Sequence, residues 1–481
     1  MQNVLNHDVL FEKHFEEISR IPHGSGNEAG VADYLVQFAK DRGFWWHRDA
    51  LHNVIIKKGG TEGYEYSPPV LMQAHTDMVC VKDKGVEHDF LRDPLKLVLE
   101  GRILRAEGTS LGADDIAGVA TILALLEREG ISHPPIEAVF TTQEETGMFG
   151  AQALDYSLLT ARRMISLDSG GESESSVNAA SCLNLELCKR TALDKAAGQV
   201  CRLGVTGLQG GHSGMCIDLE RGNALLIAAR ILHELGRRVS FRISRFDADN
   251  ASNVIPSECF VSFICKDEDA EAVAGIVAKS IAEISREYQE SDPGLLVSLS
   301  QTGGSASALS REESRTLVEL LCLLPNGRAH RSLTVEGFVT ASSNIAAIAV
   351  TERGWRVKAS IRAELESRLD CLLDKMAIAA GLCGATLREQ GRTPAWVYMP
   401  GSAMRARAAQ LMEQEWGVPL KPSFEHGGLE CGYFSKNLPG LDIYVIGPIG
   451  RDVHSTNEHL DLDSADRVYE FLTRYLALLR D

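Results

Sequence analysis

The spacing of apolar residues changes several times along the chain. Between about residues 8 and 20, and again between about 28 and 42, apolar side chains recur every three to four positions, which predicts two amphipathic helices. The rhythm then shortens. NVIIKK (53–58), PPVLMQAH (68–75), IEAVFTT (136–142) and MISLD (164–168) are short β-rich runs, while IAGVATILALLEREG (116–130) reads as a helix between them. Strands interleaved with helices predict an α/β layer with a mixed, largely parallel sheet flanked by helices. Such sheets bind ligands beyond the carboxyl ends of their strands.

A second set of elements follows the Ser/Gly-rich stretch DSGGESESS (168–176). CRLGVTGL, ECFVSFICK and RVKASIRAE are strand-like, and GNALLIAARILHELG and DAEAVAGIVAKSIAEISREYQ are helix-like. After GLCGATLREQGRTPAW come the helix MRARAAQLMEQEWG, the strand LDIYVIGP and a terminal helix. This order predicts a discontinuous α/β domain, residues 1–179 and 387–481, interrupted by an inserted α+β domain at 180–386. No repeat of fixed period and no low-complexity tract is visible.

The length of 481 residues suits at least two domains. With 44% hydrophobic and 24% charged residues the composition is globular and excludes fibrous and disordered classes. Lys+Arg 49 against Asp+Glu 66 gives a net charge of −17, a surface that repels phosphate and makes nucleic acid and anionic membrane unsuitable partners. No stretch approaches the ~20 apolar residues of a spanning helix. The opening segment lacks the apolar core of a secretion signal, and the 11 cysteines contain no C-x-x-C pair. A cytoplasmic protein with reduced thiols and no thiolate metal site is expected.

Acids and imidazoles cluster at the ends of the predicted strands. In AHTDMV, His75 and Asp77 are two apart on a strand and point the same way, which suits a histidine ligand whose second ring nitrogen is held by a carboxylate. A solvated His–Asp pair has the same spacing. In GTSLGADDIAGVA, Asp114 and Asp115 stand where a helix begins, so that Asp115 can cap it while Asp114 faces a cleft. In TTQEETGMFG the chain turns as the strand ends, which lets Glu144 and Glu145 approach one cavity, one to bind metal and the other to serve as a base. Asp168 ends a buried strand, where its charge needs compensation. His454, in GPIGRDVHSTNEHL, is far along the chain but in the part that returns to the first domain. Two histidines and three carboxylates without a thiolate suit Zn²⁺, with Co²⁺ or Mn²⁺ as substitutes; two divalent ions and one hydroxide balance these charges where one ion does not.

Two other motifs are set aside. Gly24-Ser25-Gly26-Asn27-Glu28-Ala29 meets the loose dinucleotide pattern but follows a helix-like segment and Pro22 rather than a strand. GGHSG around Ser213 lacks the spacing of a nucleophile elbow.

In order, AHTDMV, LGADD, QEETGM, LDSGG and the late GP…HS resemble the metal-site motifs of the M20 family of co-catalytic zinc peptidases. The similarity extends nearly end to end, through SRIPHGSGNE, HDF.RDPL, GGHSG, SNVIP, PNG and GLECGYF. It implies a di-zinc peptidase catalytic domain with an inserted lid. The implied reaction is hydrolysis of unblocked dipeptides, Xaa-His included, by a metal-bridging hydroxide. By the same resemblance His75 and Asp168 bind one zinc, Glu145 and His454 the other, and Asp114 bridges them. Asp77 orients His75, and Glu144 is the general base. In the lid, His212, Asn253, Arg362 and Gly428 are implied to grip small peptide substrates, and pairing of two copies into a homodimer is implied too.

The chain departs from the family in having GADD for GADN, Gly427 where alanine is usual, and Asp452 close to the ligand histidine. Other activities of the family (tripeptidase, carboxypeptidase, aminoacylase) share the metal site and differ in the lid. A metal-dependent binding protein is the non-enzymatic alternative, and the spare acid beside Glu145 counts against it.

Overall fold

Alternate residues of the early strands bury on opposite sides of one sheet. Val70, Met72 and Ala74 join one hydrophobic cluster and Leu71 another; Ile136, Ala138 and Phe140 divide from Val139 in the same way. Because both faces are covered, these strands are near-continuous apolar runs rather than alternating ones.

The computed structural model describes residues 3–481 and divides into two units. The first comprises the residues up to Ala179, Trp396–Glu425 and Leu429–Asp481. Its sheet has six strands in the order Trp45–Arg48, Val54–Lys58, Ile136–Thr141, Val70–His75, Arg163–Ser166 and Asp442–Val445. The last four run parallel and the first two form an antiparallel edge, so the sheet is mixed and largely parallel.

Helices Leu10–Ser19, Ala29–Asp41, Ala113–Glu127 and Leu462–Ala477 cover one face. In the first of these, Phe11, Phe15 and Ile18 recur at helical spacing and are fully buried. Each contributes on the order of 1.5–3 kcal/mol of transfer free energy. Cys431–Asn437 packs on the other face through Cys431, Tyr433 and Phe434. The Ser/Gly-rich stretch is not all linker, since Glu174–Ser176 pairs in parallel with Lys421–Ser423.

The second unit is Ala180–Ala395 with His426–Gly428. Its nine-stranded sheet is antiparallel and includes Asp194–Thr206, Cys259–Cys265, Val339–Thr351, Gly354–Ala363 and Ser181–Lys189. Leu183, Leu185 and Leu187 alternate inward against a core shared with helices Ala224–Gly236, Arg311–Leu323 and Glu366–Leu382. Thr386–Thr393 pairs with Ser181–Lys189 at the sheet's end, which carries this unit to Ala395. Among the described residues no helix is long and apolar enough to cross a membrane.

Candidate active site

Parallel strands that end together deliver their following residues to one edge of the sheet. His75 closes the strand Val70–His75, Glu144 and Glu145 follow Ile136–Thr141, and Asp168 follows Arg163–Ser166. The segment carrying His454 follows Asp442–Val445. The structure brings His75, Asp77, Asp114, Glu144, Glu145, Asp168 and His454 together there.

His75 is buried, with Nδ1 3.1 Å from the Asp77 carbonyl oxygen and Nε2 3.1 Å from Asp114 Oδ1. A proton on Nδ1 donates to that carbonyl and leaves Nε2 available as a ligand atom. The Asp77 carboxylate lies 3.5 Å from Nδ1 and makes shorter bonds elsewhere. It accepts from the Glu144 amide at 3.0 Å, the Glu145 amide at 3.2 Å and Ser25 Oγ at 2.7 Å. One buried acid therefore borders the His75 ring and also pins the turn that presents both glutamates. Desolvation pushes the Asp77 carboxyl up, but His75, Ser25 and the Glu144 amide outweigh it and hold it below the usual range.

The adjacent aspartates divide their work. Asp115 is buried, and its Oδ1 accepts from the Gly118 amide at 3.1 Å, as a helix cap does. Asp114 instead reaches His75 and, through Oδ2, lies 3.5 Å from His454 Nε2. The same Nε2 is 2.8 Å from Glu145 Oε1. His454 has φ +63°, a left-handed conformation uncommon outside glycine and tolerated where a site requires it.

Three sets of donor atoms lie within 4.8 Å of one another: His75–Asp114–Asp168, Asp114–Glu145–His454 and His75–Glu144–Glu145. Asp114 belongs to two of them. The protonation of the site shows the strain of so many acids together. Desolvation and the Asp114 charge push the Asp168 carboxyl up to about 7. Hydrogen bonds to Asp114 and Glu145 push His454 up to about 10. At His75, burial favours the neutral ring, but Asp114 and Asp77 raise it well above its ordinary value. Protons thus stand where cations fit, and imidazole and carboxylate donors without thiolate match a pair of hard or borderline divalent ions.

In the second unit, His212 pairs through Gly211–His212 with Val254–Ile255, and the Asn253 carbonyl accepts from the Ser213 amide at 2.7 Å. Arg362 is buried near the end of Gly354–Ala363, with Nη1 3.3 Å from the His426 carbonyl and Nε without a partner. Desolvation and the Arg362 charge lower His212. Gly428 lies in the short segment His426–Gly428.

Several supporting residues escaped the sequence reading. The discarded Gly24–Ala29 motif supplies two of them: Ser25 bonds Asp77, and Glu28 Oε1 accepts from the Gln143 amide at 3.1 Å, at the base of the glutamate turn. A Cβ on Gly24 would lie 2.5 Å from Cys80 Sγ, so the loop needs glycine to approach that closely. Under the site, Glu430 accepts from Thr141 Oγ1 and Gln73 Nε2, and desolvation pushes it up to about 8. His426, lowered to about 3 by burial and Arg362, bonds Ser342 Oγ at 2.7 Å. Ser25→Ala is expected to lower kcat/KM by about tenfold with the fold retained, because it removes the shorter of the two hydrogen bonds to Asp77 Oδ2 and leaves that oxygen to the Glu145 amide alone. Steady-state kinetics within twofold of wild type would refute the role of Ser25.

The sequence profile of peptidase family M20/M25/M40 matches residues 71–478, and the chain belongs to that family of peptide-bond hydrolases. It is 31% identical over 466 residues to the cytosol non-specific dipeptidase of Escherichia coli (strain K12), covering 96% of each chain. The crystal structure of aminoacylhistidine dipeptidase from Vibrio alginolyticus superposes with a TM-score of 0.88 at 30% identity, covering 99% of this chain and 97% of that one. Aminopeptidase PepT from Bacillus cereus shares the fold at 17% identity, with a TM-score of 0.56 over 99% and 100% of the two chains.

Proposed function

We propose that the chain is a cytoplasmic dipeptidase that hydrolyses the peptide bond of unblocked dipeptides, Xaa-His among them, with two divalent ions, Zn²⁺ fitting the donors best. His75 and Asp168 would hold one ion, Glu145 and His454 the other, with Asp114 shared. What carries this reading is that Asp114 is the residue common to the set with His75 and Asp168 and the set with Glu145 and His454, while Glu144, which belongs to neither of these two, makes no side-chain hydrogen bond to either histidine. When bound, such a pair supplies Lewis-acid polarisation of the scissile carbonyl and acidifies water.

The chain's own groups do the rest. Glu144 takes a proton from the attacking water and delivers it to the leaving amine, so that one water is consumed and an acid and an amine are formed. Asp77 fixes the His75 ring and the backbone of the Glu144 turn, which sets where that proton transfer occurs. In the second unit, the Arg362 guanidinium suits the free carboxylate of a short peptide. His212 and Asn253 are of types that can donate to an oxyanion, and Gly428 is the remaining substrate contact proposed for that unit.

Kinetics on matched substrates test the proposal. Free dipeptides should be cleaved, whereas N-acetylated dipeptides and tripeptides should be cleaved at least about tenfold more slowly, since an added group leaves buried polar partners unmatched. A preference for blocked substrates or for tripeptides would replace this reading with another activity of the family. Metal binding without hydrolysis across the panel would leave a binding protein.

A further inference from the structure

His454 lies in the connection between the short strands Gly450–Arg451 and His459–Asp461, which pair with each other. The second of these adds to Ile103–Ala106. Four residues beyond His454, Glu458 is buried at 3% exposure. Its Oε2 accepts from the amides of Leu111 at 2.8 Å and Gly112 at 3.0 Å, and its Oε1 from those of Ala113 at 2.9 Å and Asp114 at 3.4 Å. Four successive amides thus converge on one carboxylate that lies 344 positions away from Asp114 in the chain.

The turn that makes this convergence possible has little slack. Gly112 has φ +70°, and a Cβ there would lie 2.9 Å from Met78 Sδ and 3.2 Å from His23 Nε2. The amide of Asp114, whose carboxylate faces both His75 and His454, is the last of the four. The segment that holds His454 therefore also holds the backbone from which Asp114 projects.

We propose that Glu458 is a positioning residue that ties the Asp114 turn to the His454 segment, so that both are delivered in register to one divalent ion. This rests on the reading that Asp114 and His454 share an ion. A carboxylate can accept all four amides because it presents two acceptor oxygens. Glutamine has one acceptor oxygen, and its NH₂ sets donors against two of those amides. Glu458→Gln should therefore loosen the clamp while nearly conserving volume.

The test uses the full chain. In the metal-free protein, Glu458→Gln is expected to speed amide hydrogen exchange in segments 108–116 and 450–460 and to leave the strand Val70–His75 and the second unit unchanged. In a Co²⁺ titration followed by visible absorption, one of the two equivalents should bind about tenfold more weakly, with an altered spectrum. Turnover should fall in kcat more than in KM, and Glu458→Asp should recover part of each loss. If Glu458→Gln does not fold, Glu458→Asp, which withdraws the same charge by one methylene, is read in its place.

Unchanged exchange and unchanged Co²⁺ affinity would overturn the proposal. So would faster exchange throughout the first unit with both equivalents lost, which marks a general structural support. Failure of the unsubstituted chain to bind two Co²⁺ would instead overturn the proposed function. The exchange result would still decide whether Glu458 clamps the turn.

Discussion

Glu144→Gln is expected to lower kcat by about a hundred- to ten-thousandfold, the contribution of a positioned general base, while two metal equivalents remain bound. Glutamine nearly keeps the size of the side chain, and the Glu144 backbone amide keeps its bond to Asp77, so the turn stays in place. Only the ability to accept and return a proton is removed. KM should change little, because the lost interaction acts in the transition state.

Glu144 also belongs to a donor set with His75 and Glu145, and that makes metal analysis of the variant decisive. Loss of one equivalent together with turnover would make Glu144 a ligand and remove it as the base. The pH profile gives a second readout. In the metal-free protein desolvation, opposed by His75 and reinforced by the charges of Asp168, Glu430 and Glu145, raises the Glu144 carboxyl well above its ordinary value. A base works only when ionised, so wild-type kcat/KM should fall as pH drops through the Glu144 pKa. The residual rate of Glu144→Gln should lack that acid limb.

The parts of the site legible in the sequence are those in which local geometry constrains chemistry. The two-residue spacing of His75 and Asp77 is legible although the strand ends at His75 and Asp77 follows it, and Asp115 caps a helix where adjacent acids meet an apolar helical run. His454 was legible mainly by resemblance, since nothing local ties it to Glu145 some 309 positions away. Ser25, Glu28, Glu430 and Glu458 left no comparable local signal. Each acts through a hydrogen bond to a distant amide or side chain, and a lone polar residue in a loop looks the same whether or not such a partner exists.

The same reasoning explains what was hard to see in the fold. The strand Leu296–Ala308, LVSLSQTGGSASA, lies at the end of its sheet with one neighbour and is mostly exposed or half-buried. It therefore lacks the apolar run that revealed the central strands. Thr386–Thr393, also terminal in its sheet, has only Leu387 as an aliphatic residue, so its pattern does not show which strand it pairs with.

Asp114→Ala is expected to abolish binding of both metal equivalents at concentrations that saturate the wild type, and to reduce turnover to that of the chelated enzyme. His454→Ala should lose one equivalent. The difference follows from membership: Asp114 is common to the less exposed set with His75 and Asp168 and to the more open set with Glu145 and His454. Metal should also compete with protons in the unsubstituted chain. His75 is raised well above its ordinary value and His454 to about 10, so both rings hold protons at neutral pH when metal is absent. Each ring must lose its proton on Nε2 to become a ligand. Apparent metal affinity should consequently rise with pH through the neutral range, by up to about tenfold per unit for each proton displaced, and level off as pH passes the metal-free pKa values.

Asp114→Ala removes one of the acids that raise each ring, leaving Asp77 beside His75 and Glu145 beside His454, so its weak residual binding should depend less steeply on pH. Thermal unfolding separates this from misfolding. At a free metal concentration of about 100 Kd the wild type should gain roughly 2.7 kcal/mol of stability for each of the two ions, and Asp114→Ala should gain none. A variant that retains the metal-induced increment would show that Asp114 is not shared, and the two ions would then have to be held by separate ligand sets.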